Sequence, residues 1–241
     1  MSQDCYYAQG DGYLVRDEGR YPNRFRNFSR YFYHPLVQKA YPLALAEQGL
    51  SFFFDEDEMG IQFITLNSAW QIDEWFPQRS SIQQGALERG LERARADANR
   101  ARNAGQLAEG DSPLRIAVWH HPLTGNEKIH DDAFVGRLMQ ARVRVCLHGH
   151  VHENRAGLAH YLGPRRIHVV GAGSFDAPAS HRPESTPRLY NLLEIARDQS
   201  TITVHTRHKR RGSGAWQGWA VWPGDDPGQK RTYYTILPGQ V

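Results

Sequence analysis

Histidine side chains gather where two apolar segments of the sequence end. His120 and His121 directly follow an apolar run, and Pro122, which cannot donate to a strand ladder, comes next. About thirty residues later, His150 and His152 follow a second apolar run. Neutral imidazole nitrogens are good ligands for divalent Zn, Mn, Fe or Co ions. The two segments therefore predict a metal site.

The spacing of these residues indicates how the two segments could share one site. Residues two apart in an extended chain lie on the same side, so His150 and His152 can both face one metal cluster. Gly149 lacks a side chain and allows a close backbone approach. A helix predicted between the two strands makes them neighbours, so we expect their carboxyl ends to meet at one edge of a sheet.

The elements that must position these histidines alternate between strands and helices in the middle of the chain. Strands are predicted at 51–54, 61–67, 115–119 and 143–147. Helices are predicted at 36–48, 81–104 and 132–141. After residue 155 the pattern predicts antiparallel strands alone, at 167–170, 190–195 and 201–205. This order is typical of an α/β fold, which we assign to one domain over residues 1–241.

The composition excludes several classes of protein. The chain has 241 residues, of which 40% are hydrophobic and 11% aromatic, so it can bury a core and is not a disordered protein. The net charge of only +3 makes nucleic acid an unexpected partner, and the basic run 207–211 is interpreted as a solvated loop. No apolar run approaches the length of a membrane span, so no membrane partner is expected.

The amino-terminal sequence and the cysteines indicate the compartment. The first residues carry neither a basic flank nor an apolar segment, so they do not resemble a signal peptide. Cys5 and Cys146 are too few for a disulfide framework and are predicted to be reduced thiols. Together these features predict a cytoplasmic protein.

The histidine motifs resemble those of the calcineurin-like metallophosphoesterases. A strand leading to His120-His121-Pro122, then a helix, then a strand leading to Gly149-His150-x-His152, is similar to the carboxyl-terminal motifs of that superfamily. Three further segments are similar to stretches in its members: 64–68, 171–174 and 182–191. The resemblance implies a four-layer αββα sandwich, two divalent metal ions and hydrolysis of a phosphate ester.

The same resemblance implies roles for individual residues. His120 and His150 are expected to bind one metal ion and His152 the other. His121 follows a ligand and is the candidate catalytic residue, in a supporting role that orients the ligands or lines the site. The identity of the metal stays open among Mn, Fe, Zn and Co.

The sequence also departs from the family pattern. Upstream of His120 it has no Asp-x-His, Gly-Asp-x-x-Asp or Gly-Asn-His motif, which in the family supply the bridging carboxylate and further ligands. Without that carboxylate, two cations about 3.5–4 Å apart would repel each other, so at most one metal is expected here. The expectation is a fragment that lacks the first βαβαβ portion and has little activity alone.

Two kinds of partner follow from this expectation. Either an amino-terminal segment completes the sheet, or the chain associates with itself through an exposed sheet edge. The alternative interpretation is a non-catalytic, degenerate phosphoesterase fold that binds one metal ion or a protein partner.

Overall fold

The chain forms fourteen strands and three α-helices in the described residues. The computed structural model describes residues 6–54, 60–125, 128–150, 155–160, 166–173, 175, 187–210 and 213–240, with the backbone alone at 6–9, 155–160 and 240. The first eight strands are β1 (Tyr6–Gln9), β2 (Gly12–Val15), β3 (Leu50–Phe54), β4 (Ile61–Thr65), β5 (Leu114–Trp119), β6 (Val143–His148), β7 (Arg155–His160) and β8 (Arg166–Gly171). The last six are β9 (Arg188–Ile195), β10 (Ile202–Lys209), β11 (Gln217–Gly218), β12 (Trp222–Pro223), β13 (Lys230–Arg231) and β14 (Tyr233–Ile236).

Three α-helices and four shorter helical pieces connect these strands. The α-helices are α1 (His34–Val37), α2 (Gln84–Asn103) and α3 (Ala133–Gln140). A π-helical stretch spans Phe28–Tyr33, and 3-10 turns lie at Tyr21–Phe25, Leu45–Glu47 and Pro238–Gln240. In the described parts of the chain, no helix is both long and apolar enough to cross a membrane.

A six-stranded mixed sheet in the order β3-β4-β5-β6-β8-β7 positions the histidine segments. Its four central strands run parallel, while β3 and β7 pair antiparallel at the two edges. The carboxyl ends of β4, β5, β6 and β8 therefore meet along one edge of the sheet, as the sequence predicts for β5 and β6. Association of another chain with an edge strand stays a prediction.

Helices cover one face of this sheet. On α2, Leu87, Leu91 and Ala94 are buried at helical spacing, while arginine and glutamate fill the rest of its surface. They pack, together with α3, on strand residues such as Ile64 and Ala117. This confirms the predicted helices at 81–104 and 132–141.

A second sheet covers the other face. It has four strands, with β9, β11 and β14 all paired to β10. Ile202 and Val204 of β10 pack against Ile116 and Val145 of the first sheet. The described residues thus form three layers, helix, sheet and sheet. Leu192, on the outer side of β9, is 57% exposed, so no fourth layer covers it among the described residues.

The predicted helix over 36–48 is wrong. The observed helix α1 ends at Val37, Gln38 takes a left-handed φ of 57°, and only a 3-10 turn precedes Gly49. Pro42 explains the difference, because a proline pushes the preceding residue out of the helical region. Apolar spacing alone does not reveal this break.

The prediction that the late strands pair only antiparallel is wrong for one side of β8. This strand pairs antiparallel with β7 but parallel with β6 in the first sheet, while β9 and β10 form the expected antiparallel pair. Ile167 and Val170 of β8 are buried in opposite cores of the sheet. Apolar residues on both faces suit a strand inside a doubly covered parallel sheet.

Candidate metal centre

Three neighbouring strands end at the centre. Ser68 follows β4, His120 follows β5, and Gly149 and His150 follow β6. The backbone N–H of Gly149 donates to the carbonyl of His120 at 3.0 Å, which continues the parallel pairing beyond the strands. The predicted convergence of the two histidine segments is therefore observed for their described residues.

The imidazoles of His120 and His150 face each other through their nitrogens. His120 Nε2 lies 3.2 Å from His150 Nδ1, and the ring centroids are 5.1 Å apart. Two nitrogen ligands at about 2.0–2.1 Å from a tetrahedral metal lie roughly 3.3 Å apart. The pair is therefore spaced as two ligands of one ion would be. Burial, and then the nearby His150 and His148, lower the pKa of His120 and keep it neutral, the form that binds metal.

The His121 ring is held at its Nδ1 by a buried serine, Ser68. Ser68 is 1% exposed, and its Oγ accepts hydrogen bonds from the backbone N–H groups of His120 and His121 at 3.1 and 3.2 Å. The same Oγ lies 2.8 Å from His121 Nδ1. With two lone pairs already used, the hydroxyl donates its proton to Nδ1. The proton of neutral His121 is therefore assigned to Nε2.

Electrostatics favour that neutral form. Burial, followed by the neighbouring His150 and His120, lowers the pKa of His121 to about 4. Its ring centroid lies 4.6 Å from that of His150 and 5.0 Å from that of His120. Since Nδ1 is engaged by Ser68, His121 lies beside the facing pair without joining it. The supporting role expected for His121 stays a prediction.

The backbone at the end of β6 allows the close approach of the two rings. A Cβ on Gly149 would lie 3.2 Å from His120 Nδ1, closer than an ordinary contact. His150 adopts φ 65°, in the left-handed region, which costs a residue with a side chain about 1 kcal/mol. Such strain is often found at functional sites, and here it directs His150 toward His120.

Part of the predicted ligand set lies outside the described residues. His152 is among residues 151–154, so its role as a ligand stays a prediction. In the part of the chain that the structure describes, no three His, Cys, Asp or Glu side chains form a group able to hold a metal ion. The facing pair His120 and His150 supplies two nitrogen donors at ligand spacing.

The structure also assigns positions that the sequence did not. His148 is 5% exposed and its Nδ1 lies 3.0 Å from the Gly149 carbonyl, so it supports the turn between β6 and His150. The indole of Trp119 donates to the His121 carbonyl at 2.8 Å. Gly171 pairs with His148 at the same edge, while Ser174 and residues 182–186 lie outside the described residues. The position of Ser68 at the end of a central strand was the available signal for its role.

Comparison with known proteins gives a distant structural likeness. No protein-family model and no curated protein matches the sequence. Among solved structures, the chain is similar to purple acid phosphatase PPD1 from seeds of yellow lupin (Lupinus luteus), at 14% sequence identity and a TM-score of 0.40. The match covers 79% of this chain and 33% of that structure, so the chain spans about a third of its length. The family of this chain stays a proposal.

Proposed function

We propose that this chain binds one divalent metal ion between His120 and His150 and is a metal-dependent phosphoesterase. Its substrate class is a phosphate ester, and the metal is Mn, Fe, Zn or Co. In the same proposal, residues 1–241 form one domain of the αββα type, of which three layers are described. Its hydrolytic rate alone is low.

The facing pair of imidazole nitrogens carries this proposal. The 3.2 Å distance between His120 Nε2 and His150 Nδ1 suits two ligands of one ion. A lowered pKa keeps His120 neutral, as a ligand must be. The pair lies at the carboxyl edge of a parallel sheet, where such folds hold their ligands.

The surrounding residues fit one side of a phosphoesterase site. A bound divalent ion would supply a Lewis acid that polarises a phosphoryl oxygen and lowers the pKa of a coordinated water. His121, with its proton assigned to Nε2 and its Nδ1 held by Ser68, is oriented as a neutral hydrogen-bond donor. We propose that it donates to a phosphoryl oxygen of the substrate.

A second candidate function is a non-catalytic module that binds one metal ion or a protein partner. It is favoured by one observation: no carboxylate completes a ligand group with the histidines among the described residues. Both functions predict metal binding, and they differ in turnover.

His150→Ala is expected to weaken Mn²⁺ binding about a hundredfold, because it removes one of two nitrogen donors and leaves His120 alone. Isothermal titration calorimetry should show one ion per wild-type chain. The matched control is His130→Ala, since His130 is exposed and its backbone N–H, which the substitution retains, donates to the carbonyl of Ser80.

Hydrolysis of p-nitrophenyl phosphate and bis-p-nitrophenyl phosphate separates the two functions. A phosphoesterase predicts slow, Mn²⁺-dependent turnover that His150→Ala abolishes and His130→Ala retains. A non-catalytic module predicts no turnover above that of free Mn²⁺. Equal Mn²⁺ affinity in the wild type and His150→Ala would refute the assignment of the site itself.

Gly149→Ala is expected to weaken Mn²⁺ binding about tenfold while changing the free energy of unfolding little. The added methyl group meets His120 Nδ1 at 3.2 Å and displaces the ring by a few tenths of an ångström. Titration calorimetry and urea unfolding measure the two effects. Gly136→Ala, in open space on α3, controls for a general effect of alanine, and an unchanged affinity in Gly149→Ala would contradict the expectation.

A further inference from the structure

An unusual run of charge and aromatic residues lies far from the histidines in the sequence. Residues 19–46 contain five arginines and lysines and no aspartate or glutamate. Within this stretch, residues 21–37 form a continuous helical segment through the 3-10 turn, the π-helical stretch and α1. We call residues 21–37 the helical arm. The helical arm carries arginine side chains and no acidic ones, although the net charge of the chain is only +3.

The helical arm exposes a stripe of large apolar side chains. Phe28, Tyr31, Phe32 and Leu36 are 40%, 67%, 59% and 69% exposed. Successive members are one to four residues apart, and Phe28 and Phe32 stack on each other, so these two lie on the same side of the helical arm. Exposed stripes of this kind mark contact with a partner or a membrane rather than a solvated surface.

The helical arm is held on the protein by several contacts, one of which involves Phe28 of the stripe. Ser29 Oγ donates to the carbonyl of Tyr41 at 2.9 Å. The Tyr41 ring makes edge contacts with Phe28 and Tyr33, at centroid distances of 5.1 and 5.2 Å. The Arg24 guanidinium donates to backbone carbonyls of the loop after β4. The exposed stripe therefore lies on a helical segment that is fixed to the rest of the protein.

A cationic groove lies beside the stripe. A cavity of about 510 Å³ is lined by Arg26, Arg30 and His34, together with Ser29, Ala40 and Leu43. Arg26 contacts Asn23, and Arg30 lies over the Tyr31 ring at 5.2 Å. Within the described residues neither arginine makes an ion pair, so both guanidinium groups remain available to an anion.

We propose that the helical arm binds the surface of an anionic lipid membrane. Phe28, Phe32 and Leu36 would enter the boundary between headgroups and acyl chains, while Arg26 and Arg30 bind lipid phosphates. An apolar helix face flanked by basic residues is the pattern of helices that lie in this interface. Such a helix lies in the plane of the membrane and does not cross it.

The side-chain arrangement favours lipid over nucleic acid. Phe28 and Phe32 stack on each other, with ring centroids 5.5 Å apart, so their facing surfaces are not open to a base. The most exposed member of the stripe is Leu36, an aliphatic side chain that gains from acyl contact and cannot stack. The cavity between the basic side chains is large enough for a phosphate headgroup.

Vesicle co-sedimentation tests the proposal on the full chain. Wild-type protein is expected to sediment with vesicles of phosphatidylcholine mixed with phosphatidylglycerol and to sediment much less with phosphatidylcholine alone. Binding should weaken as salt is raised, because the headgroup attraction is screened. Equal or no sedimentation with the two vesicle types would overturn the proposal.

Two double variants separate the apolar and the charged contributions. Phe32→Ser with Leu36→Ser is expected to reduce partitioning at least tenfold on the mixed vesicles. Arg26→Gln with Arg30→Gln is expected to reduce it about thirtyfold and to remove the preference for phosphatidylglycerol. The matched controls are Leu192→Ser, at a residue 57% exposed on β9, and Arg95→Gln, at an exposed residue of α2. Both should bind as the wild type does, and variants of the helical arm that also bind unchanged would overturn the proposal.

Two further measurements decide between lipid and other partners. Salt-sensitive binding of a single-stranded oligonucleotide, lost with Phe32→Ser and Leu36→Ser, would overturn the proposal in favour of nucleic acid. A dimer in analytical ultracentrifugation that the same variant dissociates would assign the stripe to a second copy of the chain. His150→Ala should retain vesicle binding, so failure of the metal site and failure of the helical arm remain distinguishable.

Discussion

Gly49→Ala is expected to lower the free energy of unfolding by about 3 kcal/mol, near the upper end of the usual cost of overpacking. A Cβ at this position would lie 1.8 Å from the carbonyl oxygen of Ala86 and 2.9 Å from the backbone nitrogen of Gly90. Both contacts are with the backbone of α2, which cannot rotate away as a side chain does. The helix must therefore move off the sheet.

The displacement would reach beyond the helix. Leu87 and Leu91 of α2 belong to the core between helices and sheet, so moving α2 opens gaps in that core. Gln48, next to Gly49, accepts a hydrogen bond from the Asn67 amide at 2.7 Å, and Asn67 precedes Ser68 of the metal centre. We therefore expect weaker Mn²⁺ binding in this variant as well.

Urea unfolding followed by circular dichroism measures the effect. Gly136→Ala is the matched control, because a Cβ there meets no atom within 4 Å and alanine is the better helix former. That variant should be unchanged or more stable by up to about 1 kcal/mol. A Gly49→Ala protein as stable as the wild type would show that α2 and β3 do not approach as closely as described.

Gly49 also shows how far sequence reasoning reached in the fold. The sequence pattern correctly predicts α2, because seven buried positions repeat at helical spacing over a long segment. The same pattern indicates Gly49 only as a helix stop. In the structure this glycine allows the chain just before β3 to contact the backbone of α2. Close approach depends on which elements the fold brings together, and the residues around one glycine do not contain that information. The pairing of β8 is a second example, because its parallel alignment with β6 depends on which strand lies beside it in the sheet.

The candidate site was predictable to a similar extent. His120 and His150 were found because each follows an apolar strand, and neighbouring parallel strands end at the same edge. Their nitrogen spacing could not be predicted, since it depends on the left-handed φ of His150 and the bare backbone of Gly149. The three hydrogen bonds of Ser68 likewise arise only when β4 pairs with β5.

Ser68→Ala is expected to cost about 3 kcal/mol of stability and to release His121. The substitution removes the acceptor of two backbone N–H groups and the donor to His121 Nδ1, at a residue that is 1% exposed. Each buried group left without a partner costs about 1–3 kcal/mol. Ser200→Ala, which removes a hydroxyl in an exposed turn, should change stability little.

The nitrogen spectrum of His121 separates a positioning role for Ser68 from a merely stabilising one. In the wild type, nitrogen-15 NMR should show an unprotonated Nδ1 and a protonated Nε2, because the Ser68 hydroxyl donates to Nδ1. In Ser68→Ala this preference is lost and the two neutral tautomers exchange. The same tautomer in both proteins, or a protonated Nδ1 in the wild type, would contradict the assignment. The proposed contact with a phosphoryl oxygen requires a proton on Nε2 of neutral His121. Because Ser68 keeps the proton at Nε2, loss of the tautomer preference in Ser68→Ala should also weaken that contact.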